Sequence, residues 1–293
     1  MNNFLLRTVV GIAYVALLVG SLLLGPFTAF IFFGIVTWAT LLEFCTVLNR
    51  HAGLHVLGLL TATAGFLLVA FSWLWNFGSE MSLHWLALYG LLMLAMPIVG
   101  LYRRTANPLQ NWLAMLAAQI YVALPFALLP VLGVLGADSA VYSWQLPLAV
   151  FIFIWVNDTG AYLSGSLLHR WFPWKLFPSV SPGKSWVGSI GGGIFTLLAS
   201  VACWHWIPSG YSLPVWLGFA LVVVVFGTWG DLVESQMKRQ MGIKDSSHIL
   251  PGHGGLLDRF DSSFLAIPAS VFYFALIPVS YTHLRAHETT LHL

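Results

Sequence analysis

Charge is scarce in this chain. Of 293 residues, 8% are Asp, Glu, Lys or Arg, against about 25% in a soluble domain. That scarcity excludes a soluble enzyme, and an apolar fraction of 59% excludes a disordered chain. Neither sign of charge dominates. A formal net charge of +2 gives no basic surface for a nucleic acid, so that partner is excluded too. Cysteine is almost missing. Cys45 and Cys203 both sit in apolar runs and read as small buried hydrophobes, with no disulfide framework or thiolate metal site. Strand-like alternation is also lacking, which argues against a membrane β-barrel. What is present is apolar sequence in helix-length runs, the mark of an all-α polytopic membrane protein.

A crossing helix needs about 20 mostly apolar residues. Nine stretches qualify: 8–24, 27–47, 54–75, 83–101, 112–135, 145–166, 186–207, 213–232 and 264–280. The first lacks a small-residue cleavage site after its apolar run and reads as a retained span. Pro125, Pro130 and Pro147 fall within the fifth and sixth stretches and are expected to kink them. Arg7 precedes the first span, and Lys or Arg residues follow spans two, four, six and eight, while the odd-numbered connections carry none. The positive-inside rule then places the N-terminus and the even loops in the cytoplasm.

The few charges are unevenly spread. Thirteen of the twenty-two lie between Asp158 and Asp261. The expected organisation is a transmembrane scaffold over 1–140 and a catalytic region over 141–280, with its polar cavity in the C-terminal half. Residues 281–293 turn abruptly polar and hold three of the ten histidines. They read as a non-native tail.

The segment from Gly230 to Ser262 carries the densest chemistry. Asp231 and Glu234 are spaced i, i+3 at the end of an apolar helix, and Lys238 continues that face. Asp258 and Asp261 repeat the spacing before the ninth span. Between the pairs, Pro251-Gly252-His253-Gly254-Gly255 must be irregular. Acids at two helix ends suit one hard cation, and Mg²⁺ takes a few carboxylates together with phosphate oxygens. Lys238, Arg239, Lys244 and Arg259 suit a polyphosphate, and a glycine-rich backbone offers N–H groups to phosphate. A merely solvated, positive-inside loop is the plainer reading. It does not account for five acids and four bases within 31 residues of so apolar a chain.

A second group precedes it. Asp158 follows a run of seven mostly apolar residues and lies in or near the bilayer, where an acid is a functional candidate by default. A helix-packing hydrogen bond is the alternative. Ser181-Pro182-Gly183-Lys184-Ser185 reads as a turn presenting Lys184 and Ser185 to a phosphate or nucleotide before the seventh span. It is not a Walker loop. Gly188, Gly191, Gly192 and Gly193 read as places of close helix contact.

Taken in order, Ser235, Lys238-Arg239, Lys244-Asp245, Ser247, Leu250-Pro251-Gly252-His253-Gly254-Gly255, Asp258-Arg259 and Asp261 closely resemble the signature of the phosphatidate cytidylyltransferase (CDP-diacylglycerol synthase) family. Asn157-Asp158-x-Gly160-Ala161-Tyr162 and Ser181-Pro182-Gly183-Lys184-Ser185 resemble two further blocks of that family. Ser185 stands where Thr is usual and keeps the hydroxyl. Val187 stands where a polar or acidic residue is common, so no side-chain role is expected there. The resemblance is clear from about 150 to 275.

It implies transfer of CMP from CTP to phosphatidic acid, giving CDP-diacylglycerol and pyrophosphate in phospholipid biosynthesis. Asp231 and Asp258 are then the main Mg²⁺ ligands, with Glu234 and Asp261 as second choices for another cation. Lys238, Arg239, Lys244 and Arg259 hold triphosphate or lipid phosphate. Asp158, Ser181, Lys184, Ser185, Ser235, Asp245, His253, Gly254 and Gly255 complete the substrate site. The implied partners are CTP, phosphatidic acid and the lipid bilayer, with a homodimer left open. The implied place is the bacterial inner (cytoplasmic) membrane, with the site facing the cytoplasm. Two other readings use the same residues: a CTP-dependent lipid-alcohol kinase and a cation-coupled transporter.

Overall fold

The computed structural model describes residues 3–78, 82–135, 142–247, 249–250, 252 and 254–277. The expected tail, 281–293, and His253 lie outside the described residues, as do Glu80 and Asp138. The described chain is a bundle of helices: α1 (Asn3–Leu23), α2 (Pro26–His51), α3 (Gly58–Phe77), α4 (Ser82–Tyr102), α5 (Pro108–Ala118), α6 (Leu124–Leu135), α7 (Gln145–Leu168), α8 (Trp186–Trp206), α9 (Leu213–Gln240), α10 (Leu257–Phe260) and α11 (Ser263–Leu276). Eight segments are long and apolar enough to cross a membrane, with α5 and α6 counting as one. The ninth expected stretch appears as α11, 14 residues long within the described part.

The prolines act differently from one another. A π-helical turn over Gln119–Ala123 joins α5 to α6 immediately before Pro125, so the wide turn falls where a proline interrupts the ladder. Pro130 is tolerated inside α6. Pro147, expected to kink the sixth span, lies in the first turn of α7. There its missing N–H would have had no helical partner anyway.

Aromatic rings fill the interior. Phe33 of α2, Phe126 of α6 and Phe151 of α7 are buried and in mutual contact through Phe33, with centroids 5.6 and 5.8 Å apart. Phe260 of α10 packs edge-on against Phe126 and Tyr14. This core ties the first two helices to the short α10 turn, and so fixes the acids that flank it.

One feature departs from the helical reading. Lys175–Phe177 (β1) and Ser181–Ser185 (β2) pair antiparallel. The expected Ser-Pro-Gly turn is therefore an extended strand feeding α8. Ser185 caps that helix, its hydroxyl accepting from the Gly188 N–H at 3.2 Å. The hairpin reaches toward α9 because α7, α8 and α9 lie together. Glycines make that contact close. A Cβ at Gly191 would collide with Ser164, and one at Gly192 would lie 2.6 Å from the Asn157 carbonyl oxygen. Gly193 meets only Val224, at ordinary contact distance.

Candidate functional site

Helix α9 runs beyond the expected span to Gln240 and carries Asp231, Glu234 and Lys238 in helical register. Their side chains separate into two environments. Asp231 faces a cavity. Its Oδ2 is 2.7 Å from Lys184 Nζ of β2, and its Oδ1 accepts from the Ser235 hydroxyl at 3.1 Å. Glu234 is buried, with Oε2 paired to Lys238 Nζ at 2.5 Å and Oε1 without a hydrogen-bond donor among the described residues.

Lys238 bridges to the second acidic pair, its Nζ lying 2.7 Å from Asp258 Oδ1. Asp258 is held on all sides. Oδ2 accepts from Gly255 N at 2.8 Å and Ser246 N at 3.0 Å, and Ser246 Oγ lies 2.9 Å away. Burial would raise its pKa, but the Lys238 ammonium and the Gly255 and Ser246 N–H groups outweigh that and hold the carboxyl below the usual carboxylate range. Asp261 is the opposite case. Its pKa is driven up by enclosure first and then by the Asp231 charge, with Asp158 adding to it. It accepts from the adjacent Ser262 N–H at 2.5 Å.

Two cavities meet at this point and share Asp158 and Asp231. One, about 490 Å³, is walled by Tyr14, Phe151 and Trp155 and holds Asp258, Arg259 and Asp261. The other, about 470 Å³, holds Lys184, Ser185, Lys175 and His169. One has an aromatic wall and a single cation, and the other is lined with hydroxyls and cations. Asp158 makes no hydrogen bond or ion pair among the described residues, and it stands at the boundary.

Some expected site residues lie elsewhere. Lys244 and Asp245 line a separate cleft of about 720 Å³ against Arg50, His51 and Glu43 of α2. Arg239 is exposed, with Nη1 donating to the Ile243 carbonyl at 3.1 Å. Ser181 is paired in the hairpin with Phe177. Gly254 takes φ +84°, a conformation open to glycine at little cost, and bridges to Leu250. Gly255 gives its N–H to Asp258.

The α1 and α2 helices, expected to be scaffold, line or brace the site. Tyr14 lines the Arg259 cavity. Arg7 lies against Gly252, where a Cβ would be 2.6 Å from its Cγ. Glu43 holds the loop from below through Leu256 N at 2.9 Å and Leu257 N at 3.2 Å. Sequence reasoning missed these three. For Glu43 the signal was available: an acid in the middle of an apolar helix is a functional candidate by default.

Among the described residues no three His, Cys, Asp or Glu side chains converge as a ready metal cage. The donor types nevertheless fit a hard cation. Asp158, Asp231 and Asp261 are carboxylates around one cavity, the donor class Mg²⁺ takes along with phosphate oxygens and water. Asp258 is the poorer candidate, because both of its oxygens are already engaged.

Comparison with known proteins gives a consistent result. The sequence profile described as "Cytidylyltransferase family" matches residues 5–277. Phosphatidate cytidylyltransferase of Staphylococcus aureus (strain COL) is 44% identical over 121 residues, 41% of this chain and 45% of the relative. The enzyme of the same name from Staphylococcus haemolyticus (strain JCSC1435) is 43% identical over 123 residues, 41% of this chain and 45% of the relative. That from Haemophilus influenzae (strain ATCC 51907 / DSM 11121 / KW20 / Rd) is 42% identical over 137 residues, 45% of this chain and 46% of the relative. In these matches the chain spans about half the length of the curated relatives.

Proposed function

The chain belongs to the cytidylyltransferase family, and from that premise we propose that it transfers CMP from CTP to phosphatidic acid, forming CDP-diacylglycerol and releasing pyrophosphate. The observation that carries this reading is the pair of cavities sharing Asp158 and Asp231. A reaction between a nucleotide and a lipid phosphate needs two anion sites that meet at one point.

The cavity with Lys184, Lys175 and Ser185 takes the triphosphate. Lys184 reaches Asp231 at 2.7 Å and exchanges that partner for phosphate when CTP enters. The cavity with Arg259 and the Tyr14, Phe151 and Trp155 wall takes the lipid phosphate and the start of its acyl chains. The lipid phosphate is already anionic near neutral pH, so it attacks the α-phosphorus of CTP without a dedicated base. The oxygen–phosphorus bond forms as the bond to the β-phosphate oxygen breaks, and pyrophosphate leaves. The protein's part is positioning and charge neutralisation.

Asp158, Asp231 and Asp261 would hold Mg²⁺ at the shared boundary. When bound, it supplies positive charge against the phosphates. Lys238 is not a phosphate ligand in this arrangement, since it already bridges Glu234 and Asp258. The basic loops support a mouth facing the cytoplasmic side of the bacterial inner membrane, where CTP is available.

The test is pyrophosphate release by the purified chain in detergent, with CTP, Mg²⁺ and phosphatidic acid each omitted in turn. Release that needs all three supports the reading. Phosphorylation of a lipid alcohol, or ion uptake into vesicles without pyrophosphate, would replace it with one of the two rival functions.

A further inference from the structure

The most fully satisfied acid outside the two cavities is Glu43, in the middle of α2. It is 4% exposed in an otherwise apolar helix. Its carboxylate accepts from the backbone N–H groups of Leu256 and Leu257, at the start of α10. The Ser246 hydroxyl lies within hydrogen-bond distance of Glu43 Oε1 and also of Asp258 Oδ2, the latter at 2.9 Å. The backbone leaves no room for anything else: a Cβ at Gly255 would collide with Glu43 Oε1 and with Ser246 Oγ.

These contacts join residues more than 200 positions apart in sequence. A carboxylate buried in a span carries a desolvation cost that only fixed donors offset. Here the donors are two backbone amides and a hydroxyl, and all belong to the segment that carries Asp258 and Arg259. No described cavity wall needs the Glu43 charge for a phosphate, and its oxygens are already taken.

We propose that Glu43 is a positioning residue: it anchors Ser246, Leu256 and Leu257 to α2 and, through Ser246 and Asp258, sets the place of Arg259 and Asp261 at the reacting centre. The role in turnover rests on the cytidylyltransferase reading above, while the anchoring itself does not.

The test uses the full chain in detergent. Amide hydrogen exchange is followed by mass spectrometry in the unaltered protein, Glu43→Gln, Ser246→Ala and the double variant. Pyrophosphate release gives kcat and KM for CTP in each. In Glu43→Gln an amide nitrogen faces donors and cannot accept from all three. Exchange at Leu256 and Leu257 is expected to rise about tenfold or more, the loss expected of one charge-assisted hydrogen bond, while exchange in α7 and α8 is unchanged. kcat falls by about tenfold or more, with KM for CTP little altered. The double variant is no slower than Glu43→Gln alone, because both act through one chain of contacts.

Unchanged exchange at Leu256 and Leu257 overturns the proposal, as does a rise spread evenly over all helices. If Glu43→Gln does not fold, Ser246→Ala carries the test, and an unchanged kcat there overturns the link to Asp258. If the unaltered protein releases no pyrophosphate, the proposed activity fails together with Glu43's part in turnover. The exchange result then still decides the anchor.

Discussion

Two groups of acids lie close together in the fold and have different surroundings. Asp258 and Glu234 share one lysine, and Asp258 accepts from two backbone amides. Asp158, Asp231 and Asp261 line a cavity, with one ion pair among them, from Lys184 to Asp231. The first group is already paired and hydrogen-bonded within the protein. The second is left with negative charge that a cation would complete. Sequence spacing treats the i, i+3 pairs alike, but their surroundings divide each pair between the two groups. Asp258 and Glu234 are held by Lys238, while Asp231 and Asp261 line the cavity without it.

That division can be broken experimentally. Asp231→Asn should have the largest effect on turnover, lowering kcat about 10²–10³-fold, as loss of a charge-stabilising group does. The unfolding temperature in detergent should hardly move, since the side chain borders a cavity. Asp258→Asn should show the reverse signature. Removing one partner of a buried pair costs about 3 kcal/mol or more, so its unfolding temperature should fall clearly along with activity. Equal thermal shifts in the two variants would erase the distinction. Gly191→Val tests the frame behind Asp158. It forces α7 and α8 apart at Ser164 and should cost about 1–3 kcal/mol of stability, with turnover falling as Asp158 moves away from Asp231. Normal turnover in that variant would show that the tight helix contact does not position the acid.

Much of this was legible in the sequence. Helix-length apolar runs located eight of the nine expected stretches as full-length helices, because burial in lipid demands length and composition that are visible locally. Of the signature residues, Asp258, Arg259 and Asp261 line one cavity. What was not legible depends on contacts between distant parts. Lys238 read as a phosphate contact, but α10 brings Asp258 to it across twenty residues. Lys244 and Asp245 read as site residues, but the loop turns them toward α2. Ser181–Ser185, the second strand of the hairpin, reads as a turn from sequence, since Ser-Pro-Gly composition favours turns and a two-stranded ribbon leaves little periodicity to detect. Glu43 was passed over because its role exists only once α2 and α10 are in contact.

The most direct test of two cavities meeting at Asp158 and Asp231 is a crossed comparison of Michaelis constants. Lys184→Ala and Arg259→Ala are each assayed with CTP varied at fixed phosphatidic acid, and with phosphatidic acid varied at fixed CTP. The account predicts that Lys184→Ala raises KM for CTP about tenfold, in keeping with loss of one charge-assisted contact, and leaves that for the lipid near its original value. Arg259→Ala should do the opposite. If both variants raise the same constant, the two anions share one cavity and the account is wrong.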